Sequence, residues 1–278
     1  METEAQSNEL AAAGCWATKG PAIRHIAITG ASSGIGASLA RHYAGAGIGL
    51  SLLGRNESRL MHIADECSAA GARVSCAVGD VADADFMQRW LEESDSRAPL
   101  DMVFANAGIG GRMSMPGPAG ESIAVAREIF STNIIGVANS VLPILPRFVA
   151  RRSGNIVIVS SLAALVALPS APAYSASKAA VRSYGHGLRR LLAPHGVRVS
   201  VVCPGFVDTP MSASISGRLP LLWDSDRAAR YIADCLARGR HEIAFPWPLA
   251  VMSRLAEILP SSVVDVVLKR LNYGGGVQ

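Results

Sequence analysis

The chain has 278 residues, half of them apolar and 17% charged, so it can bury one large core as a single α/β domain. Its net charge of +4 comes from scattered Lys and Arg residues with no basic stripe interleaved with aromatics, which argues against nucleic acid as a partner. The five cysteines show neither a Cys-x-x-Cys pair nor a metal-ligand spacing, which indicates free thiols in a reducing cytoplasm and no metal site.

The first part of the chain predicts a leader, a strand, a glycine-rich loop and a helix. Residues 1–21 lack the basic-then-apolar pattern of a signal peptide, so we expect a disordered leader. Residues 25–29 predict a strand, 29–36 a glycine-rich loop and 37–46 a helix. This order places a pyrophosphate on the helix N-terminus, because glycines permit a tight turn and close approach to a ligand. The alternative is a glycine turn without a ligand.

The second predicted strand, 49–53, bears on the choice of dinucleotide. In dinucleotide-binding folds an acidic residue after this strand binds the ribose hydroxyls of NAD. This chain has Gly54 followed by Arg55, and an arginine can pair with the 2′-phosphate of NADP. The sequence therefore favours NADP(H) over NAD(H), unless Arg55 is only a solvated loop charge.

Strands and helices continue to alternate along the chain. Strands are predicted at 73–78, 100–105, 155–160, 198–203 and 241–245, and helices at 57–70, 83–96, 124–148, 173–193 and 224–238. This alternation predicts one Rossmann-type domain at 22–245, a doubly wound parallel sheet of about seven strands with helices on both faces. The glycine loop, Asn106, Ser161 and Pro204 each follow a strand, so they should meet at the carboxyl edge of the sheet, where ligands bind.

The stretch from Ser160 to Lys178 predicts acid–base chemistry. Tyr174 and Lys178 are four residues apart, so on a helix they lie on one face. A phenol titrates near pH ~10, and a neighbouring ammonium lowers its pKa by favouring the phenolate. Ser161, at the end of the preceding strand, can join them. The alternative is a Tyr and a Lys on an ordinary solvated helix face.

These residues resemble the classical short-chain dehydrogenase/reductase family, which places a Ser upstream of Tyr-x-x-x-Lys at the spacing that Ser161, rather than Ser160, has here. The glycine loop, the Asn106-Ala107-Gly108 segment and the Pro204-Gly205 turn extend the resemblance over residues 22–245. It implies that the catalytic residues are Asn133, Ser161, Tyr174 and Lys178. The implied cofactor-binding residues are Gly30, Ser32, Ser33, Gly34, Ile35, Gly36, Arg55, Asp80, Val81, Asn106, Ala107, Gly108, Tyr174, Lys178, Pro204, Gly205, Val207 and Thr209.

The resemblance also implies roles for individual residues. Tyr174 would act as general acid/base and Ser161 would bind the same substrate oxygen, while Lys178 lowers the pKa of Tyr174 and binds the nicotinamide ribose. Asn133 would stabilise a helix distortion and hold a water linked to the lysine, although a purely structural Asn is the alternative. Asp80 and Val81 would contact adenine, and Asp80 could equally cap a helix. Many NADP-binding members of the family carry a second basic residue at the position that Ser33 occupies in this chain.

The function expected is hydride transfer between NADP(H) and a carbonyl or secondary alcohol. Leu162, Leu165, Val166 and Leu168, together with 211–223, suggest a lipophilic substrate, unless these residues are ordinary core. A non-catalytic nucleotide-binding scaffold on the same fold is the alternative, and a cofactor titration with a carbonyl panel separates the two. A sugar-nucleotide epimerase or dehydratase would need a larger substrate domain after residue 245.

Two further segments border the predicted domain core. The Gly- and Pro-rich loop 110–120 should border the substrate pocket. Residues 246–278 predict a helical extension with amphipathic helices at 249–259 and 261–271, which would cover the pocket or contact a partner subunit. Interfacial attachment to lipid is a third possibility, weakened by the mixed charge of the polar face, and charged residues exclude a spanning helix. The resemblance implies a homodimer or homotetramer.

Overall fold

A single parallel sheet forms the centre of the molecule. The computed structural model describes residues 23–110, 121–215 and 219–270. Seven strands lie in the order β3-β2-β1-β4-β5-β6-β7, and all neighbouring pairs are parallel. The strands are β1 (His25–Thr29), β2 (Gly49–Gly54), β3 (Arg73–Val78), β4 (Met102–Ala105), β5 (Gly154–Val159), β6 (Val197–Pro204) and β7 (Glu242–Phe245). The strand order reverses between β1 and β4, and such a switch point opens a ligand crevice at the carboxyl ends.

Helices cover both faces of this sheet. They are α1 (Gly34–Tyr43), α2 (Glu57–Ala69), α3 (Ala84–Arg97), α4 (Ile123–Phe130), α5 (Gly136–Val141), α6 (Leu145–Arg151), α7 (Pro172–Leu192), α8 (Ser225–Ala237), α9 (Trp247–Ile258) and α10 (Ser261–Arg270). The buried residues of α1, α2 and α8 share one core cluster, and those of α3, α5, α6 and α7 share a second. The predicted Rossmann-type doubly wound fold is confirmed.

The strands form because their sequences are continuous apolar runs rather than alternating ones. In β5, all four residues from Ile156 to Val159 are buried, as expected of a parallel strand covered on both faces. Successive residues point to opposite faces, so Ile28 joins the first core cluster while Ala27 joins the second. The sheet is thus fixed from both sides, and its carboxyl edge is a rigid platform.

One long helical path departs from the predicted helix 124–148. It consists of α4, a π-turn at Ser131–Ile135, α5, a 3₁₀ turn at Leu142–Ile144, and α6. The sequence predicts that Pro143 and Pro146 bend or end this helix, and α5 does end at Val141, just before Pro143. Each proline then lies in the first turn of a new helical segment, where its missing N–H costs little, so the path resumes and continues to Arg151.

The same path raises the question of a membrane span. Within the described residues, Ile123–Arg151 is one helix long and apolar enough to cross a membrane by length and composition. Several of its large side chains are buried against the sheet in the second core cluster, as in the core helices of globular proteins: Val137, Val141, Ile144 and Phe148. Length and composition are therefore weak grounds for assigning a span here.

The C-terminal extension contains two helices, α9 and α10, close to their predicted positions. Leu249 and Ala250 of α9 pack against Leu162, Leu165 and Val201 of the domain. The predicted leader 1–21 lies outside the described residues, as does nearly all of the predicted loop 110–120. The assignment of these segments and the proposed domain limits stay predictions.

Candidate active site

The glycine loop after β1 forms a cradle at the N-terminus of α1. Gly30 and Gly34 have φ values of +69° and +54°, a region that residues with a side chain rarely adopt. A Cβ atom at Gly34 would lie 2.8 Å from Cγ2 of Thr209, which follows β6. Ser33 precedes α1 but its hydroxyl does not cap the helix, so the first-turn N–H groups remain available to an anion. These features fit a dinucleotide pyrophosphate.

Three other predicted residues of the loop lie beside this cradle. Ile35 and Gly36 are in the first turn of α1, and Ser32 lies at the rim. A Cβ atom at Gly36 would collide with the carbonyl oxygen of Gly30, so the loop is packed as tightly as the backbone allows.

The end of β4 is tied to the end of β1 by side-chain hydrogen bonds. Asn106 Nδ2 donates to Thr29 O at 2.8 Å, while Thr29 Oγ1 accepts from the N–H groups of Asn106 (3.0 Å) and Ala107 (3.1 Å). A Cβ at Gly30 would lie 2.9 Å from Ala107 Cα, so the two loops touch. Thr29 was missed as a site-building residue; its only sequence signal is a polar residue ending a buried strand.

The loop after β2 contains the residues predicted to lie near the ribose. A Cβ on Gly54 would be 3.0 Å from Ser32 Oγ, so a larger side chain there would require Ser32 to shift. Arg55 is more than half exposed, and its Nη1 is 3.9 Å from Asp80 Oδ2, a long and solvated ion pair that contributes little. Asp80 Oδ1 accepts from the N–H of Ala82 at 2.9 Å, which orders the turn after β3.

The helix-cap alternative for Asp80 is wrong. The cap of α3 is Asp83, whose Oδ1 accepts from the N–H of Phe86 at 2.9 Å. Val81 is buried between these two acids, and its carbonyl accepts from Asn139 Nδ2 at 2.9 Å. The Asp80–Val81 turn is therefore held against α5, at the edge predicted to receive adenine.

Ser161 and Tyr174 meet at the end of β5. Ser161 Oγ accepts from the N–H of Ala163 at 3.1 Å, donates to Pro204 O at 3.4 Å, and lies near enough to the Tyr174 hydroxyl to affect the pKa of the phenol. Ser160 is buried, and its Oγ donates to Lys178 O at 2.7 Å, which anchors α7 to β5. The two adjacent hydroxyls thus lie in different places: Ser160 contacts the backbone of α7, and Ser161 lies beside the phenol of Tyr174, as the spacing to Tyr174 predicts.

Lys178 is buried beside Tyr174. Its side chain is only 3% exposed, its Nζ donates to Val159 O at 3.0 Å, and Nζ lies 5.8 Å from the Tyr174 ring centroid. Burial lowers the pKa of Lys178 to about 8, because the charged form loses its solvation. The ammonium is therefore on the same helix face as the phenol, as predicted.

The expected lowering of the Tyr174 pKa is not what the structure shows. Burial raises the pKa of Tyr174, and the neighbouring Ser161 hydroxyl offsets this only in part. Lys178 Nζ donates its hydrogen bond to Val159 O and not to the phenol. The tertiary burial that decides this balance could not be deduced from a spacing of four residues.

Asn133 lies in the π-turn and is fully buried. Its Oδ1 accepts from the N–H of Ile109 at 2.8 Å, and its Nδ2 donates to Ile109 O and to Ser177 Oγ, both at 3.0 Å. A Cβ on Gly108 would be 3.2 Å from both Asn133 Oδ1 and Lys178 Nζ, so this glycine separates the two side chains. These bonds support the structural alternative directly, and the water-mediated role stays a prediction.

Ser177 is a second residue that sequence reasoning missed. Its hydroxyl accepts from Asn133 and donates to Tyr174 O at 2.7 Å, which joins the π-turn to the first turns of α7. The sequence offers no signal for this role, because a serine on a helix is common.

The turn after β6 closes the site. Gly205 N–H donates to Phe245 O at 2.7 Å, and Val207 pairs with Trp223. Thr209 and Ser212 bond reciprocally, with Thr209 N–H donating to Ser212 Oγ at 3.0 Å. Pro204, at the end of β6, is followed by this ordered turn, which brings Thr209 to the glycine cradle.

The predicted positions thus gather along one edge of the sheet, with a phosphate cradle at one side and a phenol, a hydroxyl and an ammonium at the other. A dinucleotide cradle beside a proton-donating set defines a nicotinamide-dependent oxidoreductase. Comparison with known proteins specifies the family. The model of the "short chain dehydrogenase" family matches residues 24–219. The chain belongs to the short-chain dehydrogenase/reductase family.

Relatives and solved structures agree with this assignment. An uncharacterized oxidoreductase of Myxococcus xanthus (strain DK1622) is 37% identical over 249 residues, which cover 89% of this chain and 97% of the relative. A short-chain dehydrogenase/reductase from Burkholderia phymatum, in complex with NAD, has a TM-score of 0.76 at 25% identity, covering 88% of this chain and 95% of that one. One from Burkholderia cenocepacia J2315, in complex with NADP, has a TM-score of 0.74 at 28% identity, with coverage of 88% and 97%.

Proposed function

We propose that this oxidoreductase interconverts a carbonyl and a secondary alcohol on a lipophilic substrate with NADP(H), using Tyr174 as the general acid/base. The observation that supports this most is the convergence of the Ser161 hydroxyl and the Tyr174 phenol at the end of β5, with Lys178 buried alongside. The nicotinamide cofactor, when bound, supplies the hydride in the reductive direction.

The side chains divide the remaining work. Tyr174 donates its proton to the substrate oxygen as negative charge develops there, and Ser161 donates a hydrogen bond to the same oxygen. Lys178, charged below about pH 8, stabilises the resulting phenolate from one side of the ring. Asn133 and Ser177 hold the backbone of α7 so that these groups stay aligned.

Replacing the phenol tests this proposal. Tyr174→Phe should bind NADPH with unchanged affinity but lower kcat by about 10²–10⁴-fold, the usual contribution of a positioned acid. Fluorescence titration gives the affinity, and NADPH oxidation with a carbonyl panel gives kcat. Tyr184→Phe is the matched control: its hydroxyl, on the same helix, is buried without a hydrogen-bond partner among the described residues, so its loss should leave kcat unchanged. Parental turnover in Tyr174→Phe would refute the assignment.

The alternative is a scaffold that binds the nucleotide without turning it over. Both the phenol and the ammonium are present and adjacent, which favours catalysis. Tight NADPH binding without oxidation on any member of a broad carbonyl panel would favour the scaffold.

The preference for NADP(H) is supported by the site after β2. Position 54 has no carboxylate for the ribose hydroxyls, a side chain there would press on Ser32, and the weakly paired Arg55 can turn to a 2′-phosphate. Arg55→Ala should weaken NADPH binding by about tenfold or more while changing NADH binding little, in line with about 1.5–3 kcal/mol for a charge-assisted bond. Arg59→Ala, which removes an exposed arginine in the first turn of α2, is the control. Equal losses for both cofactors would contradict the preference.

An apolar surface near the site supports a lipophilic substrate. Met211, Ile215, Leu221 and Leu222 follow the β6 turn, and each is more than a third exposed. A Cβ on Gly110 would lie 3.1 Å from Met211 Cγ, so this segment begins next to the start of the predicted substrate loop. In a homologous series of ketones, kcat/KM should rise with chain length. A flat series would argue for a polar substrate.

We also propose a homodimer or homotetramer. Four large apolar side chains are exposed along the helical path from α4 to α6: Ile123, Phe130, Ile135 and Leu142. An exposed apolar stripe of this kind is typical of a surface that another subunit covers.

A further inference from the structure

Helix α7 carries the proposed proton donor in its first turn but has no capping side chain of its own. Ala171 precedes the helix and offers no side-chain acceptor, and Pro172, the first residue, has no N–H. Four other helices begin with local caps, at Asn56, Asp83, Ser122 and Asp224. The start of α7 must therefore find its acceptor elsewhere in the chain.

Glu121 supplies that acceptor from 52 residues earlier. Its Oε2 accepts from the N–H of Ala173 at 2.9 Å. Ser175 N–H already bonds to Ala171 O at 3.0 Å, so the Glu121 bond ties down a part of the first turn that Ala171 does not hold. Tyr174 lies between these two anchored residues.

Among the described residues, the Glu121 carboxylate has one hydrogen bond, the one to Ala173. Its second oxygen, Oε1, is buried without a hydrogen-bond partner within the described ranges. A buried unpaired acceptor is costly, so the one bond to Ala173, together with the favourable field at a helix N-terminus, has to keep the carboxylate in place.

We infer that Glu121 is a positioning residue for the reaction proposed above. By fixing the first turn of α7 it fixes the Tyr174 hydroxyl against Ser161. The inference rests on the proposed function, because the geometry that Glu121 maintains is that of the proton donor. Glu121 acts through the backbone and not on the substrate.

Three substitutions at Glu121 separate positioning from general stability. Glu121→Ala removes the acceptor, and Glu121→Asp withdraws it by one methylene while keeping the charge. Glu121→Gln keeps an oxygen that can accept from Ala173. Both Ala and Asp should lower kcat by about tenfold or more with NADPH affinity unchanged, since small displacements of a reacting group cost up to ~10²-fold. Gln should retain kcat within about threefold, because the hydrogen bond survives.

Asp224→Ala is the matched control, because it removes a carboxylate cap from α8 on the other face of the sheet. It should lower the melting temperature about as much as Glu121→Ala but leave kcat unchanged. If Glu121→Ala does not fold, Glu121→Asp carries the test. The inference is overturned if Glu121→Asp has parental kcat, if Gln is as impaired as Asp, or if Asp224→Ala loses kcat equally. If the parental protein reduces no carbonyl at all, the proposed function fails instead.

Discussion

At the scale of single residues, Lys178 shows how burial sets the chemistry of the site. The side chain is almost fully enclosed, and its ammonium has one hydrogen-bond acceptor, Val159 O, within the part of the chain that the structure describes. Its pKa falls from the ordinary value of 10.5 to about 8. The protonated form of Lys178, to which we assign a role beside Tyr174 in the proposed function, therefore exists at a cost in folding stability.

That cost predicts a pH dependence of stability. Between pH 8 and 10.5 the unfolded chain keeps the Lys178 proton and the folded chain has lost it, so this residue's contribution to the unfolding free energy rises with pH through that window. The parental protein should gain about 2 kcal/mol relative to Lys178→Met between pH 7 and 9.5, measured by urea unfolding. Parallel pH profiles of the two proteins would show that the lysine is not desolvated.

Site residues could be predicted from the sequence when their interactions are local along the chain, and could not when the partners are distant in sequence. Ser161, Tyr174 and Lys178 could be predicted because a strand end and a four-residue helix spacing bring them together locally. Glu121, Thr29 and Ser177 could not, because each acts through a backbone group or side chain distant in sequence or common in composition.

At the scale of elements, α9 is held to the domain by a small apolar contact and an ion-pair network. Ala250 packs against Leu162, just after Ser161, and Arg182 Nη1 of α7 lies 3.2 Å from Glu257 Oε1. Much of the outer face of α9 is exposed: Trp247, Val251, Met252, Leu255 and Ile258. The helix therefore depends on a few buried contacts for its position near the active site.

Adjacent substitutions in α9 test this dependence. Ala250→Glu should destabilise the protein by about 2–4 kcal/mol and speed hydrogen exchange in α9, because it buries an unpaired charge at a position that is 6% exposed. Val251→Glu, at a position that is 48% exposed, should change stability by less than about 0.5 kcal/mol. Equal exchange rates in the two variants would mean that α9 is not docked through Ala250.

The elements were predictable to different degrees. The strands were found because parallel strands buried on both faces are continuous apolar runs. A helix distortion at Asn133 was expected only through the family resemblance, and the π-turn there agrees with that expectation. The resumption of the helix after Pro143 and Pro146 was not predicted, since it depends on where each proline falls in a turn.

At the scale of the whole molecule, the strand order brings residues from four separate strand ends to one edge, and the helical path from α4 to α6 exposes the apolar stripe proposed as a subunit contact. Leu142→Glu should shift the protein toward monomer in light scattering coupled to size exclusion, because it places a charge in the proposed contact. Met61→Glu, an exposed apolar position on α2 at the other face, should leave the mass unchanged. A monomeric parental protein would refute the proposed assembly.

The π-turn at Ser131–Ile135 divides the long helical path into two segments that differ in how much of each is buried. Before it, α4 buries only Ile129, whereas α5 after it buries most of its length. Regular i→i+4 hydrogen bonding is interrupted between them, so the leading part can fray and re-form while the trailing part keeps the sheet intact. The segment α4 can thus open and close faster than α5, which is packed on the sheet.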